Sequence, residues 1–93
     1  MDELTGFQRD VLYISARLDE PNGLAIKDQL EDYYETTVDR GQLYPNLDSL
    51  VEKELIEKHQ QGKRRNAYTL TAKGRHEITA RREWEDKRMG FDA

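Results

Sequence analysis

Two short strand-forming segments interrupt a chain whose hydrophobic pattern is otherwise helical, and this interruption limits the folds that the chain can adopt. Residues 55–59 and 67–70 are typical of strands, and the segment 60–66 between them holds Gly62 and a run of basic residues. The pattern predicts a β-hairpin with a basic tip. The hairpin follows three helical patterns and precedes a fourth, so the fold class is mainly α with a small β-hairpin (α+β), in the order α-α-α-β-β-α.

The helices are predicted from apolar residues that recur every three or four positions. The first helix runs from about its N-cap Thr5 to Leu18, and the second ends near Glu35. The third begins after Asp39, which has the spacing of a capping box with Gln42. It ends near residues 53–54, and its expected buried stripe comprises Leu43, Leu47, Leu50 and Val51.

The last helix is predicted from the N-cap Thr71 through about Arg88. A helix-turn-helix followed by a hairpin is a winged helix-turn-helix, in which the hairpin is the wing. We assign residues 1–70 to this winged helix-turn-helix unit and residues 71–93 to a C-terminal helix of the same single domain. The last helix has few apolar residues with which to pack against its own core.

A chain of 93 residues has room for one small domain. Leu, Ile, Val and Phe make up only about a fifth of it, so the core must be thin and association with a second chain would help. We therefore expect a homodimer, in which the last helix buries Ile78, Trp84 and Met89 across a two-fold axis.

Several functions find no support in the sequence. Cysteine is absent, which excludes disulfides, thiolate catalysis and cysteine-ligated metals. His59 and His76 do not have metal-ligand spacing, and neither a nucleophile elbow nor a glycine-rich phosphate loop is present. We expect no enzymatic activity, cofactor or metal. No segment resembles a signal peptide or a membrane span of about 20 apolar residues, so a cytoplasmic protein is expected.

The formal net charge of -4 hides a division along the chain. Residues 1–39 hold 10 acidic and 3 basic side chains, whereas residues 40–93 hold 9 acidic and 12 basic ones. Positive potential is therefore concentrated in the second part, where nucleic acid would be bound. The acidic excess has two explanations that the sequence leaves open, an adaptation to a salt-rich cytosol or the ordinary acidity of cytosolic proteins.

The third helix has a polar ridge beside its apolar stripe. Gln42, Asn46 and Ser49 recur at helical spacing and share one side of the helix. Gln and Asn side chains can pair with adenine through two hydrogen bonds, and Ser can bond to several bases, so we predict that these three read base edges. The alternative is an ordinary solvated helix face.

The basic tip of the hairpin offers contacts to phosphate. Lys63, Arg64 and Arg65 are consecutive, and Arg40 adds a cation at the start of the third helix. Tyr44 flanks the polar ridge, from which its hydroxyl can turn toward a phosphate. We predict that these five residues bind the DNA backbone. A merely solvated turn is the alternative for the basic triplet.

The chain resembles the PadR family of winged-helix transcriptional regulators. The resemblance lies in the stretch DRGQLYPNLDSLVEKELIEK and, after the wing, in RRNAYTLTAKGRHEI. Its most specific part is Leu43-Tyr44-Pro45 with Leu47 and Leu50, followed by Leu55-Ile56. The run after the wing is shared with many winged helices and supports the fold more than the family.

This resemblance implies a homodimeric, repressor-like DNA-binding protein with helix 40–54 in the major groove and wing 60–66 on the backbone or minor groove. It places Tyr44 near the DNA backbone, with Gln42, Pro45 and Asn46 beside it. The chain departs from the family in having Glu54 before Leu55-Ile56, where the family usually has glycine in a left-handed turn. Keeping that geometry costs about 1 kcal/mol, so the turn is expected to differ.

A second departure is the C-terminal part, which stops after one helix where many members have a longer extension for dimerisation and effector response. Ligand sensing through such an extension is therefore not expected, and the sequence leaves open whether a small-molecule effector exists. The leading hypothesis is a sequence-specific regulator that binds double-stranded DNA at a pseudo-palindromic operator. The alternative is a winged-helix module for protein-protein interaction, with the acidic residues of 1–39 facing a basic partner.

Overall fold

The computed structural model describes residues 1–63 and 65–90, and within them the order of elements is the predicted one. The helices are α1 (Gly6–Arg17), α2 (Gly23–Tyr34), α3 (Arg40–Glu52) and α4 (Ala72–Met89), and the strands are β1 (Ile56–Gln61) and β2 (Arg65–Leu70). The strands form an antiparallel hairpin between α3 and α4. Among the described helices, none is long and apolar enough to cross a membrane.

The hairpin is longer than the sequence pattern predicts. Strand pairing runs from Ile56 opposite Leu70 to Gln61 opposite Arg65, so the predicted loop 60–66 was too long. The residues missed by the prediction are polar and exposed, and they therefore lack the apolar alternation by which a strand is recognised. The turn begins at Gly62, whose φ of 78° suits glycine.

The predicted N-caps of three helices are confirmed. Thr5 and Gln8 form a full capping box at α1, because Thr5 Oγ1 accepts from the Gln8 N–H at 3.1 Å and Gln8 Oε1 accepts from the Thr5 N–H at 3.2 Å. Thr71 accepts from the Gly74 N–H at α4. Asp39 caps α3, but its side chain accepts from the Gly41 N–H. The spacing had predicted a bond from the Gln42 N–H instead.

The core lies where α1, α2 and α3 meet the base of the hairpin. The predicted inner stripe of α3 is confirmed for Leu43, Leu47 and Leu50, which are fully buried, while Val51 is half-buried at the edge. Burying each leucine contributes about 1.5–3 kcal/mol, which fixes the rotation of α3 about its axis. Among the described residues, the other fully buried aliphatic side chains are those of Val11, Leu12, Ile26, Leu30 and Ile56.

The turn from α3 into β1 keeps the left-handed geometry, so the expected difference at this turn is not found. Glu54 has a φ of 64°. Its N–H donates to the carbonyl of Val51, and the N–H of Leu55 donates to the carbonyl of Leu50. This pair of bonds is the Schellman motif that glycine usually supports. The favourable bonds and the burial of Leu55 hold a non-glycine residue in a strained conformation.

Two connections set the position of the helix-turn-helix. Between α2 and α3, the Glu31 carboxylate accepts from the Val38 N–H at 2.8 Å and from Lys27 Nζ at 2.9 Å. Between α1 and α2, the carbonyl of Pro21 accepts from the Tyr68 N–H at 2.8 Å, which places the start of α2 against β2. The N-terminal ends of α2 and α3 therefore lie on the same side of the domain as the hairpin.

Candidate nucleic-acid interface

A cleft of about 350 Å³ lies between the start of α2, the N-terminal half of α3 and the beginning of β2. Arg40 of α3 and Arg65 of β2 both line it, although 25 positions separate them in sequence. Tyr44 forms another wall with its half-exposed ring. Three of the predicted phosphate-binding residues thus surround one cavity, whose two guanidinium groups suit an anionic ligand.

Tyr44 lies directly over the first turn of α2. A Cβ atom built on Gly23 would stand 2.8 Å from Cε1 of the Tyr44 ring, which is closer than side chains tolerate. Glycine at the start of α2 therefore lets the phenol approach the helix N-terminus. Sequence reasoning missed Gly23, and its only sequence signal is its place after the N-cap Asn22, since the contact with Tyr44 is made in three dimensions.

Two polar residues that the sequence analysis did not select also line the cleft. Asn22 caps α2 by accepting from the Ala25 N–H at 2.8 Å, and Asn66 follows Arg65 on β2. Both come to the cleft because Asn22 pairs with Ala67 in an isolated bridge. Only this contact between distant segments reveals them, so no local pattern would have selected them.

The wing presents basic residues beyond the base of the hairpin. Lys63 is exposed at the turn and Arg65 is exposed at the first position of β2. Arg64, the third predicted member of the basic triplet, lies outside the described residues. The structure therefore places Arg65 both on the wing and at the cleft, so that the cationic surface continues from α3 to the hairpin.

The predicted base-reading ridge is not uniform. Gln42 is exposed, whereas Asn46 and Ser49 are half-buried, and Asn46 contacts Gln8 of α1. Both ends of the Asn46 amide have partners, because Oδ1 accepts from Gln8 Nε2 at 2.9 Å and Nδ2 donates to the Gln42 carbonyl at 2.7 Å. The outward surface of the N-terminal half of α3 also includes Pro45.

Charges around α3 are partly compensated. Asp48 lies on the face next to the ridge, and its Oδ1 is 3.8 Å from Nζ of Lys58 on β1. Both side chains are well exposed. Such a surface pair contributes about 0–1 kcal/mol, but it reduces the repulsion between this carboxylate and an approaching anion. Tyr68, buried beneath the cleft, has a pKa raised first by burial and then by Tyr44 and Asp48, so it stays protonated.

The residues predicted for dimerisation have different surroundings. Ile78 packs against the core of its own chain, while Trp84 and Met89 lie 45% and 67% exposed toward the free end of α4. The Trp84 ring is flanked by the guanidinium carbons of Arg81 and Arg88, at 4.4 and 4.7 Å from its centroid. These cations hold the ring in one place by cation-π attraction.

Helices α1, α2 and α3, the hairpin and the cationic cleft between them define a winged helix-turn-helix protein. The model of the transcriptional regulator PadR-like family matches residues 11–80, which run from the middle of α1 to the middle of α4. The chain belongs to this family of transcriptional regulators, as the resemblance implied, and PadR-like regulators bind DNA.

Two solved structures of RosR are similar over nearly the whole chain. The complex structure of hsRosR-S1 is 42% identical with a TM-score of 0.92, over 98% of this chain and 80% of that one. The structure of H. salinarum RosR grown from NaBr is 43% identical with a TM-score of 0.91, over 98% of this chain and 82% of that one.

A more distant structure, smu.1704 from Streptococcus mutans UA159, is 23% identical with a TM-score of 0.67, over 88% of this chain and 78% of that one, and supports the fold alone. Among curated proteins, a search found no match to this chain.

Proposed function

We propose that this regulator binds double-stranded DNA with sequence specificity and acts in a repressor-like way, with the N-terminal half of α3 in the major groove. The observation that carries the proposal is the cleft at which Arg40, Tyr44 and Arg65 converge. Its walls come from α3 and the wing, the two elements that a winged helix applies to a duplex. A phosphate held there would fix the register of α3 in the groove.

In this arrangement Gln42, Asn46 and Ser49 read base edges from one side of α3, and Pro45 lies beside them against the groove. Lys63 and Arg64 join Arg40, Tyr44 and Arg65 as backbone contacts, with the wing on the adjacent backbone or minor groove. Sequence preference then comes from α3, while most of the affinity comes from the cations.

We further propose a homodimer in which residues 71–93 supply the contact and residues 1–70 bind DNA. The exposure of Trp84 and Met89 supports this, since large apolar side chains left exposed to solvent favour association. The partly buried Ile78 contributes only its outer edge. Two-fold symmetry would place two α3 helices about one turn of DNA apart, on a pseudo-palindromic operator.

The proposal is tested by fluorescence anisotropy at several salt concentrations, with DNA from upstream of the gene and unrelated DNA of equal length. If each protomer neutralises three or four phosphates, log affinity falls with log salt at a slope of about -5 to -7 for the dimer. The R40A/R65A variant should make that slope shallower by about 3 to 4, because it removes two contacts from each protomer.

The control is R17A, which removes one guanidinium group from the exposed end of α1, beside a different groove, where R40A/R65A removes two from the cleft. It should leave the slope nearly unchanged. If R40A/R65A behaves like R17A, the cleft does not bind phosphate. Equal binding of all DNA fragments would argue against sequence specificity and would favour the alternative, a protein-interaction module that uses the acidic face of α1 and α2.

A further inference from the structure

We propose that Gln8 of α1 is a positioning residue that determines how Asn46 of α3 presents its amide to DNA. This inference rests on the proposed function, in which Asn46 reads a base, and adds a specificity-determining residue from outside the recognition helix. A continuous chain of hydrogen bonds carries it, from the N-cap of α1 to the first turns of α3.

The chain has three bonds. The N–H of Thr5 donates to Gln8 Oε1 at 3.2 Å, Gln8 Nε2 donates to Asn46 Oδ1 at 2.9 Å, and Asn46 Nδ2 donates to the carbonyl of Gln42 at 2.7 Å. Gln8 and Asn46 are both half-buried, so the chain lies at the surface where α1 meets α3. Partial burial strengthens the bond between Gln8 and Asn46. The exposed part of Asn46 leaves it accessible to a ligand.

Both ends of the chain are backbone groups whose roles are fixed. The Thr5 N–H can only donate, which requires Gln8 to turn its oxygen toward it, and the Gln42 carbonyl can only accept, which requires Asn46 to turn its nitrogen toward it. Rotation of either amide by 180° would bring two donors or two acceptors together. The orientation of both amides is therefore determined by the backbone, and the two agree where they meet.

Asn46 is left with one hydrogen on Nδ2 and one lone pair on Oδ1. Those are the groups with which an asparagine makes a bidentate contact to adenine, donating to N7 and accepting from the N6 amine. An amide already held in one orientation gives up less rotational freedom when it binds. Gln8 thus prepares Asn46 for one arrangement of donor and acceptor, and thereby for one base.

Helix capping alone does not require glutamine at this position. Glutamate completes a capping box equally well, and the positive end of the helix dipole favours its charge. A carboxylate, however, accepts from Thr5 and has no hydrogen to donate to Asn46. The amide is the group that performs both tasks, which separates the proposed role from helix stability.

The experiment compares Q8E with N46A and with the double variant. The preferred DNA is first selected from a random duplex library with the wild-type protein, and affinities are then measured for every single-base change in it. Q8E keeps the cap and should melt within a few degrees of wild type. It should reduce discrimination about tenfold at the base pair where N46A does, and Q8E/N46A should lose no more than N46A.

Q8E also adds a negative charge, for which T5D is the matched control. Aspartate is a good N-cap, and this variant keeps the Thr5-position N–H, the Gln8 amide and its bond to Asn46. Both variants should weaken binding to all DNA through charge repulsion, but only Q8E should change the base preference. A purely structural role for Gln8 would lower the melting temperature without altering that preference.

Three results would overturn the inference in distinguishable ways. If Q8E keeps the base discrimination of the wild-type protein, as T5D should, Gln8 does not position Asn46, and the proposed function stands. If N46A keeps full discrimination, Asn46 is not a reader, and the proposed function again survives through other residues. If the library yields no preferred sequence with the wild-type protein, sequence-specific binding fails and this inference fails with it.

Discussion

Replacing Glu54 by glycine should stabilise the protein, because Glu54 is held in a conformation that disfavours side chains. Its φ of 64° lies in the left-handed region, and the N–H groups of Glu54 and Leu55 close the Schellman motif at the end of α3. On the other side, Thr71 Oγ1 donates to the Glu54 carbonyl at 2.6 Å. These backbone bonds do not need the glutamate side chain, so E54G can keep all of them.

The size of the effect is a difference between two terms. A residue with a Cβ atom loses about 1–2 kcal/mol in the left-handed conformation. Glycine avoids that strain, but it makes the unfolded chain more flexible, which offsets about 0.5–1 kcal/mol. The net gain for E54G is therefore about 0.5–1 kcal/mol. In a domain of this size the melting temperature should rise by about 2–6 °C.

The assay is urea denaturation followed by far-ultraviolet circular dichroism, at one fixed protomer concentration because association shifts the midpoint. E54A is the matched control, since it removes the side chain and keeps the strained backbone, and it should differ from wild type by less than about 0.5 kcal/mol. E54N should lie between the two, because asparagine tolerates this conformation. If E54G is no more stable than E54A, the argument from backbone strain is wrong.

The other predictions concern the cleft, the acid side of the stability curve and the dimer. G23A should weaken DNA binding about tenfold or more, although Gly23 touches no base, because the added Cβ displaces the Tyr44 ring. In anisotropy measurements, Y44A/G23A should bind DNA almost as well as Y44A alone. Glu31 has a pKa below its ordinary value, first through the Val38 N–H and then through Lys27, so its contribution to stability is complete above the unfolded value of 4.5 and is lost as the pH falls through the folded pKa. Urea midpoints between pH 6 and 3 should therefore fall more steeply for wild type than for E31Q, and parallel curves would contradict this. W84A should weaken dimerisation by about tenfold or more in sedimentation velocity, and a wild-type protein that is monomeric at micromolar concentration would refute the dimer itself.

The local pattern of the sequence was enough to predict the type and order of the elements. The recurrence of Leu43, Leu47 and Leu50 gave both the third helix and its buried side, and the caps Thr5 and Thr71 gave the starts of α1 and α4. These features depend on side chains within three or four residues of each other, where helical periodicity and capping act. The family resemblance rests on the same segment and is confirmed by the family match.

Other features depended on contacts between distant segments. The strands extended beyond the predicted ones because paired backbones, and not apolar alternation, hold Gln61 and Arg65 together. The left-handed Glu54 was kept because the bonds of the turn outweigh its strain. The sequence predicted Ile78 as part of a dimer contact, whereas its packing against the core of its own chain follows from how α4 crosses the rest of the domain.

The candidate site shows the same division. Residue type and helical spacing selected Arg40 and Asn46 as DNA-contacting residues, since charge and amide chemistry are visible in the sequence. Only the tertiary structure brought Arg65 to the cleft with Arg40 and joined Gln8 to Asn46. The physical reason is that a residue's chemistry is local, whereas its partners are decided by the angles at which helices and hairpin pack, and those angles are set by the whole core.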